Sequence, residues 1–382
     1  VKLNLLDREW YQSSLFEDLA WLRNNQPIYY DINGIWGITR YEDIKWVEKN
    51  PHLFSNFINS ARPFGIDQYS MADSDDPSHA YQRRMVSTRF SARQIQTLET
   101  SISHASRSII DSCVNNSVID VVKDIATPLP MHIICNMLQL PLSDSDQLIN
   151  WSKIMLSGAD DPTFVTDLVA NSFFEYFTYM SEIIEFRKRN TSDDIISLFI
   201  QQGLEDKYII GNLLLLIIGG TETTSSAISG GLEALIRYPD QMKYVRHSHD
   251  NLSLGIEEIL RWTTPVLNMN RTATQDVMIH GQTIPAGSQV LIMFISANRD
   301  ETIFKDAGNF ISWRSPNNHI SFGWGPHLCL GANLARLELK CLYSQLFHKV
   351  KNMRFADSDY IAKYNSSSFV RGITELPICI EN

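Results

Sequence analysis

Three textures of apolar and polar positions follow one another along the chain. Over residues 27–39, extended apolar segments flank Asn33-Gly34, a pair suited to a tight two-residue turn, which predicts a hairpin. Over residues 41–238 the apolar spacing is mostly helical, and helices are expected at 41–50, 79–90, 91–113 and 122–138. Ser192, ahead of Asp193-Asp194, reads as a helix start leading into Ile195-Ile196-Ser197-Leu198. The longest helical run covers residues 207–238. It is apolar on all sides near 213–218, so its middle should lie deep in the core. Past Arg271, turn residues separate short apolar runs, as at 278–287, which predicts strands. Helix returns over 331–347, and another hairpin is expected from Phe369. The pattern predicts a mainly α protein with small β-sheets.

Composition narrows the class. Of 382 residues, 44% are hydrophobic and 20% charged, a globular balance. With no linker, repeat or charge block, a single domain over 1–382 is expected. A net charge of -10 argues against non-specific nucleic-acid binding, which needs Lys and Arg against phosphates. Five cysteines, widely spaced and without a CxxC, argue against a disulfide framework or a zinc cluster. The first residues are too polar for a signal peptide, and the 213–218 run is too short for a bilayer. The expectation is a cytoplasmic chain without a membrane anchor.

Two stretches carry chemistry. In the first, Gly323, Gly325 and Pro326 precede Cys329, and a helix beginning near Ala332 follows it. The positive end of a helix favours a thiolate, so the Cys329 pKa is expected to be lowered. Gly323 and Gly325 permit a sharp turn, Gly331 lets a flat ligand lie close to the helix start, and Phe322 can shield the sulfur. The second stretch is Gly219-Gly220-Thr221-Glu222-Thr223 in the long helix. Two glycines in mid-helix cost about 1 kcal/mol each relative to alanine, so something should compensate. They can admit a cofactor, while the Thr223 hydroxyl takes the Gly219 carbonyl and bends the helix locally. A plainer alternative is that the glycines serve close helix packing and Glu222 lies on a wet face.

The order Phe322-x-x-Gly325-x-x-x-Cys329-x-Gly331 resembles the haem-binding loop of the cytochrome P-450 superfamily, with His327 where that family usually carries a basic residue. Residues 217–224 resemble its oxygen-binding helix, with Glu222-Thr223 as the acid-threonine pair. Glu258 and Arg261, followed by Arg314, resemble its structural network behind the haem. The resemblance implies haem b between the long central helix and the helix after the cysteine loop, with Cys329 as the iron ligand. It also implies His79, Arg83, Arg271 and His319 as partners of the propionates. The implied activity is that of a monooxygenase: one oxygen of O2 enters the substrate, the other leaves as water, and Glu222 and Thr223 manage the protons. No flavin or ferredoxin domain is seen, so electrons should come from a separate ferredoxin or flavodoxin-type donor. That donor should dock near the Cys329 loop on a basic face.

By family analogy, residues 57–71, 157–174, 214–223, 266–269 and 366–370 line the substrate pocket. They are rich in Phe, Leu, Ile and Met, which implies an apolar small-molecule substrate; Arg62 alone stands out as a charged candidate, either an anchor or a solvated side chain. Residues 218–224, 257–266, 296–298, 315–319 and 331–339 resemble bacterial enzymes that hydroxylate the terminal side-chain carbon of cholesterol and cholestenone. Ser225-Ser226 and Trp324 depart from that pattern. Fatty-acid or terpenoid hydroxylation is the alternative within the fold. The rival readings are a peroxide-driven enzyme, a haem-thiolate sensor or binding protein without turnover, and a non-haem protein with a structural Cys329. The Glu222-Thr223 pair argues against the peroxide-driven one.

Overall fold

In chain order the helices are α1 (Leu15–Asn25), α2 (Tyr41–Lys49), α3 (Ser78–Ser87), α4 (Ala92–Gln96), α5 (Glu99–Cys113), α6 (Pro128–Leu138), α7 (Ser145–Ala159), α8 (Asp167–Arg189), α9 (Ile195–Gln201), α10 (Asp206–Arg237), α11 (Pro239–His247), α12 (His249–Thr263), α13 (Phe294–Ala297) and α14 (Ala332–Lys349). The strands are β1 (Ile28–Tyr30), β2 (Trp36–Ile38), β3 (Phe54–Ser55), β4 (Val118–Asp120), β5 (Met269–Ala273), β6 (Val277–Ile279), β7 (Gln282–Ile284), β8 (Gln289–Ile292), β9 (Asn352–Phe355) and β10 (Pro377–Glu381). This computed structural model describes residues 2–57, 60–61, 69–159 and 166–381.

The 32-residue helix α10 is the spine, packed by α6, α7, α8, α9, α11, α12 and α14. Its apolar residues point in all directions because neighbours cover it on most sides, as the 213–218 run requires. One sheet runs β1-β2-β8-β5-β3, with β2 and β8 parallel and the other pairs antiparallel. Smaller sheets are β4-β10-β9 and the β6-β7 hairpin. The expected architecture, mainly helical with small sheets, is what forms. No described helix is long and apolar enough to cross a membrane.

Several local expectations are corrected. The β1–β2 hairpin closes with Tyr30 opposite Trp36, so its loop is wider than a two-residue turn. The Asp31 carboxylate orders that loop by accepting the N–H groups of Leu5, Asn33 and Ile35. The 91–113 run breaks between α4 and α5, and 122–138 divides into a π-helical turn, Val122–Ala126, and α6. Asp194, not Ser192, caps α9, its carboxylate accepting the Ser197 N–H at 2.6 Å. Past Phe369 the chain makes only isolated bridges, including Tyr364 with Ile373, before β10 pairs with β4 and β9. The chain does fold back on itself there, with Asn365 N–H on the Gly372 carbonyl and Thr374 N–H on that of Lys363, but no paired strands form until β10 finds partners elsewhere in the chain.

Candidate functional site

The Cys329 loop is built by short hydrogen bonds. Gly323 N–H reaches the Ile320 carbonyl at 3.0 Å, and Cys329 N–H reaches that of Phe322 at 2.8 Å. Gly325 has φ 70°, and a Cβ there would meet the Glu48 carbonyl oxygen at 2.3 Å, so both backbone shape and close approach require glycine. The loop delivers Cys329 just before α14, whose N-cap is Gly331.

Cys329 is exposed to a cleft of about 410 Å³ that Arg83, Phe90, Phe322 and Arg336 also line. The protein around the cleft desolvates the charged sulfur and pushes its thiol pKa up, while the Gly331 N–H, Arg83 and Arg336 pull it down. The net direction is upward, which corrects the lowered value expected from the helix start alone. A metal ion coordinated at the sulfur reverses that balance, because a coordinating thiol is deprotonated outright. The Arg336 guanidinium lies over the Phe322 ring at 4.6 Å and fixes it beside the loop.

Basic groups converge next to this loop. The His79 ring stacks on His327 with centroids 4.0 Å apart. Its Nδ1 lies 3.2 Å from Asp76 Oδ1, and its Nε2 is buried without a hydrogen-bond partner. Burial, followed by the charges of Arg271, His79 and Arg83, drives the His327 pKa down to about 2. Arg83 donates to the Leu328 carbonyl, and Arg271 pairs with Glu48. His319 stands apart from this cluster. Its Nδ1 accepts the Ser321 N–H at 3.3 Å, so its Nε2–H donates to Glu257, 3.1 Å away. Burial pushes the Glu257 carboxyl up, but hydrogen bonds from Arg336 and His319 outweigh it and hold the pKa at about 2. The structure therefore engages His319 with an internal carboxylate rather than leaving it open to a propionate, as expected from the sequence.

On the central helix the two adjacent glycines do different things. A Cβ on Gly219 would meet nothing within 4 Å, and Gly219 is exposed in the middle of an otherwise buried helix. A Cβ on Gly220 would strike Ile134 Cδ1 at 2.8 Å, so this glycine lets α6 approach. The Thr223 hydroxyl donates to the Gly219 carbonyl at 2.6 Å, as the i to i−4 spacing predicts. Thr221, Ser226 and Ser229 also donate four residues back, yet α10 stays a single helix. Glu222 points towards α7, where Ser152 Oγ lies 3.4 Å from its Oε1. Burial raises its pKa, against the lowering effect of Lys153 and Ser152.

Behind the loop, Glu258 and Arg261 are wholly buried and joined at 2.8 and 2.7 Å. Arg314 and Asn317 add donors to the same carboxylate at 3.0 and 3.1 Å, and Ile311 N–H adds another at 2.8 Å. Arg261 also spans the carbonyls of Asn298, Ala307 and Asn309, so this pair fastens α12 to the chain leading into the cysteine loop. Sequence reasoning missed Glu48. One of its oxygens binds Arg271 and the other accepts the Trp324 N–H at 3.0 Å.

An exposed thiol, an open gap over Gly219, an orphaned buried imidazole nitrogen and a basic cluster without its own carboxylate for each cation fit one ligand type. That type is the haem b implied by the resemblance, a flat iron-bearing group with two carboxylates. The family model for cytochrome P-450 matches residues 37–373. The steroid C26-monooxygenase of Mycolicibacterium smegmatis is 36% identical over 370 residues, 95% of this chain and 92% of that protein. The methyl-branched lipid omega-hydroxylase of Mycobacterium bovis is 33% identical over 365 residues, 91% of this chain and 84% of that protein. CYP109E1 from Bacillus megaterium, crystallised with testosterone, superposes with a TM-score of 0.90 at 30% identity, covering 98% of this chain and 100% of that one. By its loop, its central helix and these likenesses, the chain belongs to the cytochrome P-450 family and is a haem b monooxygenase.

Proposed function

We propose that this monooxygenase hydroxylates the terminal carbon of a branched alkyl side chain on an apolar lipid of sterol type. One observation carries the reading: relatives covering more than nine-tenths of the chain are named for oxidation at steroid C26 and at the omega carbon of a methyl-branched lipid. Both positions end a methyl-branched chain, so the shared feature is an inert C–H bond far from any polar head. The described parts of the expected pocket suit such a chain: Leu214 and Leu267 are buried, and Val266 and Met269 pack on the apolar core. Residues 58–59, 62–68, with Arg62 among them, and 160–165 of that expected lining lie outside the described residues.

Cys329 would hold the iron, while His79, Arg83, His327 and Arg271 would face the carboxylates. Bound there, haem supplies the activation of O2 that inserts oxygen into an unactivated C–H bond. The Thr223 O–H donates a hydrogen bond to the Gly219 carbonyl, which leaves its oxygen lone pairs free to accept from water or a substrate hydroxyl on the open side. Burial raises the Glu222 pKa, so its carboxyl holds a proton more readily than an exposed glutamate, one residue away from Thr223. Electrons come from a ferredoxin or flavodoxin-type protein that docks where Lys45 and Lys49 flank the exposed Trp324 ring at 4.6 and 6.0 Å.

The test is turnover of cholest-4-en-3-one, a methyl-branched fatty acid and a straight-chain fatty acid with a reductase system, with products located by mass spectrometry. Hydroxylation at a branched terminus, accompanied by a shift of the haem to high spin, supports the reading. Exclusive turnover of the straight chain overturns it. A fatty-acyl alternative is favoured by the TM-score of 0.90, at 28% identity, to a P-450 crystallised with an acyl carrier protein bearing hexadec-9Z-enoic acid.

A further inference from the structure

A second cavity, about 270 Å³, opens between α1, α10 and the segment 371–373, and nothing in the chemistry above uses it. Ser226 and Gly230 line it. They follow Gly219 by about two and three turns at 3.6 residues per turn, so the cavity lies on the same face of α10, starting roughly 10 Å further along.

Its walls are cationic and aromatic. Arg23 is neutralised by Glu301 at 2.7 Å. Arg299 and Arg371 have no such partner among the described residues. Arg299 is buried, donates to the carbonyls of Arg261 and Trp262, and stacks over Trp262 at 4.4 Å and Phe16 at 5.1 Å. The Arg371 guanidinium lies on the Tyr364 ring at 3.4 Å and 5.5 Å from the Phe16 ring, with its Nε buried and unpaired. The acids whose charge reaches these arginines are spent elsewhere: Glu233 on Arg237, and Glu258 on Arg261 and Arg314. Burial works against the charge of both groups; Arg261 and then Arg371 also repel Arg299, while Tyr364 and Glu233 support the charge of Arg371. Uncompensated buried cations are costly, and a bound anion relieves them.

We propose that this cavity binds a small organic carboxylate, its anionic head on Arg299 and Arg371 and its apolar body against Phe16 and Trp262. Guanidinium groups match a carboxylate, and the aromatic walls favour an organic anion over a bare inorganic one. The occupant sits against Ser226, whose hydroxyl donates to the Glu222 carbonyl at 2.8 Å, so the site touches the helix that carries the acid-threonine pair.

The probe is benzoate, with neutral benzamide as its control, titrated by calorimetry into holoenzyme whose haem pocket is filled with an azole. Saturable one-site benzoate binding with an unchanged Soret band, and none for benzamide, is expected. R371Q should weaken it about tenfold or more, the worth of a charge-assisted hydrogen bond. Ile373→Trp, which fills the cavity and keeps both arginines, should abolish it. Both variants are checked for an intact carbon monoxide difference spectrum. An absence of saturable binding to the wild type, equal binding of benzamide, or undiminished binding in both variants overturns the proposal.

Discussion

Glu48 accepts the backbone N–H of Trp324 at 3.0 Å with one oxygen and binds Arg271 with the other, so one buried carboxylate ties α2 and β5 to the cysteine loop. Removing it strands a buried guanidinium. Glu48→Ala should cost about 3–5 kcal/mol, the usual penalty for breaking a buried pair, and Glu48→Gln less. Thermal unfolding and the fraction of chains retaining haem, read from the carbon monoxide difference spectrum, check this. A Glu48→Ala protein with wild-type melting and full haem content would remove Glu48 from the scaffold.

Gly219 and Gly220 should respond oppositely to one methyl group. Alanine is better than glycine in a helix by about 1 kcal/mol. At position 219 the added Cβ has open space, so Gly219→Ala should raise the melting temperature, yet it narrows the gap over the site. Azole or substrate affinity should fall by roughly tenfold, the worth of about 1.4 kcal/mol. Gly220→Ala must displace the flexible end of Ile134, which offsets the helical gain, and should leave affinity unchanged. Melting curves and spectral titrations on the two variants separate the cases; equal affinities would show that Gly219 does not border the ligand space.

What was legible in the sequence was local or carried by the motif order. The Thr223–Gly219 bond follows from i to i−4 geometry, and the Glu258–Arg261 pair from i to i+3. Two glycines in a row read alike, because which one meets α6 depends on where α6 packs. Ser192 and Asp194 are both acceptable caps, and the competition was decided by the carboxylate that reached Ser197. Glu48 carried no signal, since its partners lie 223 and 276 residues away. His319 fell in a familiar place, but Glu257, held by Arg336, claims it only once α12 and α14 pack.

Glu338 predicts a pH dependence of stability. It is 2% exposed on α14, its Oε2 has no hydrogen-bond partner, and burial raises its pKa from 4.5 to about 8. Below the unfolded value both states are protonated and the group is neutral to folding. Between that value and about 8, the unfolded chain loses the proton while the folded one keeps it. Stability therefore falls as pH rises through this window, by at most about 1.4 kcal/mol per pH unit. Glu338→Gln should remove that dependence and raise the melting temperature more at pH 8 than at pH 5, the two conditions chosen for the comparison. An equal gain at both would mean that the carboxyl is already solvated.

Glu222 and Thr223 should separate proton supply from substrate binding. Thr223→Val keeps the side-chain shape and deletes the hydroxyl that now bonds the Gly219 carbonyl. Product formed per electron pair should fall roughly a hundredfold, at the low end of what a positioned group in a proton transfer contributes, with the electrons diverted to hydrogen peroxide. The substrate-induced spin shift should persist. Thr223→Ser, which keeps a hydroxyl on the same backbone, should restore most of the coupling. Burial raises the Glu222 pKa, so its carboxyl stays protonated to higher pH than an ordinary glutamate. Its ability to give up a proton then declines as pH rises through that raised value, and Glu222→Gln should erase this limb of the pH profile. Measured coupling ratios across pH decide the matter: a Glu222→Gln enzyme that keeps the wild-type profile would assign the proton supply to water reaching Thr223 by another route.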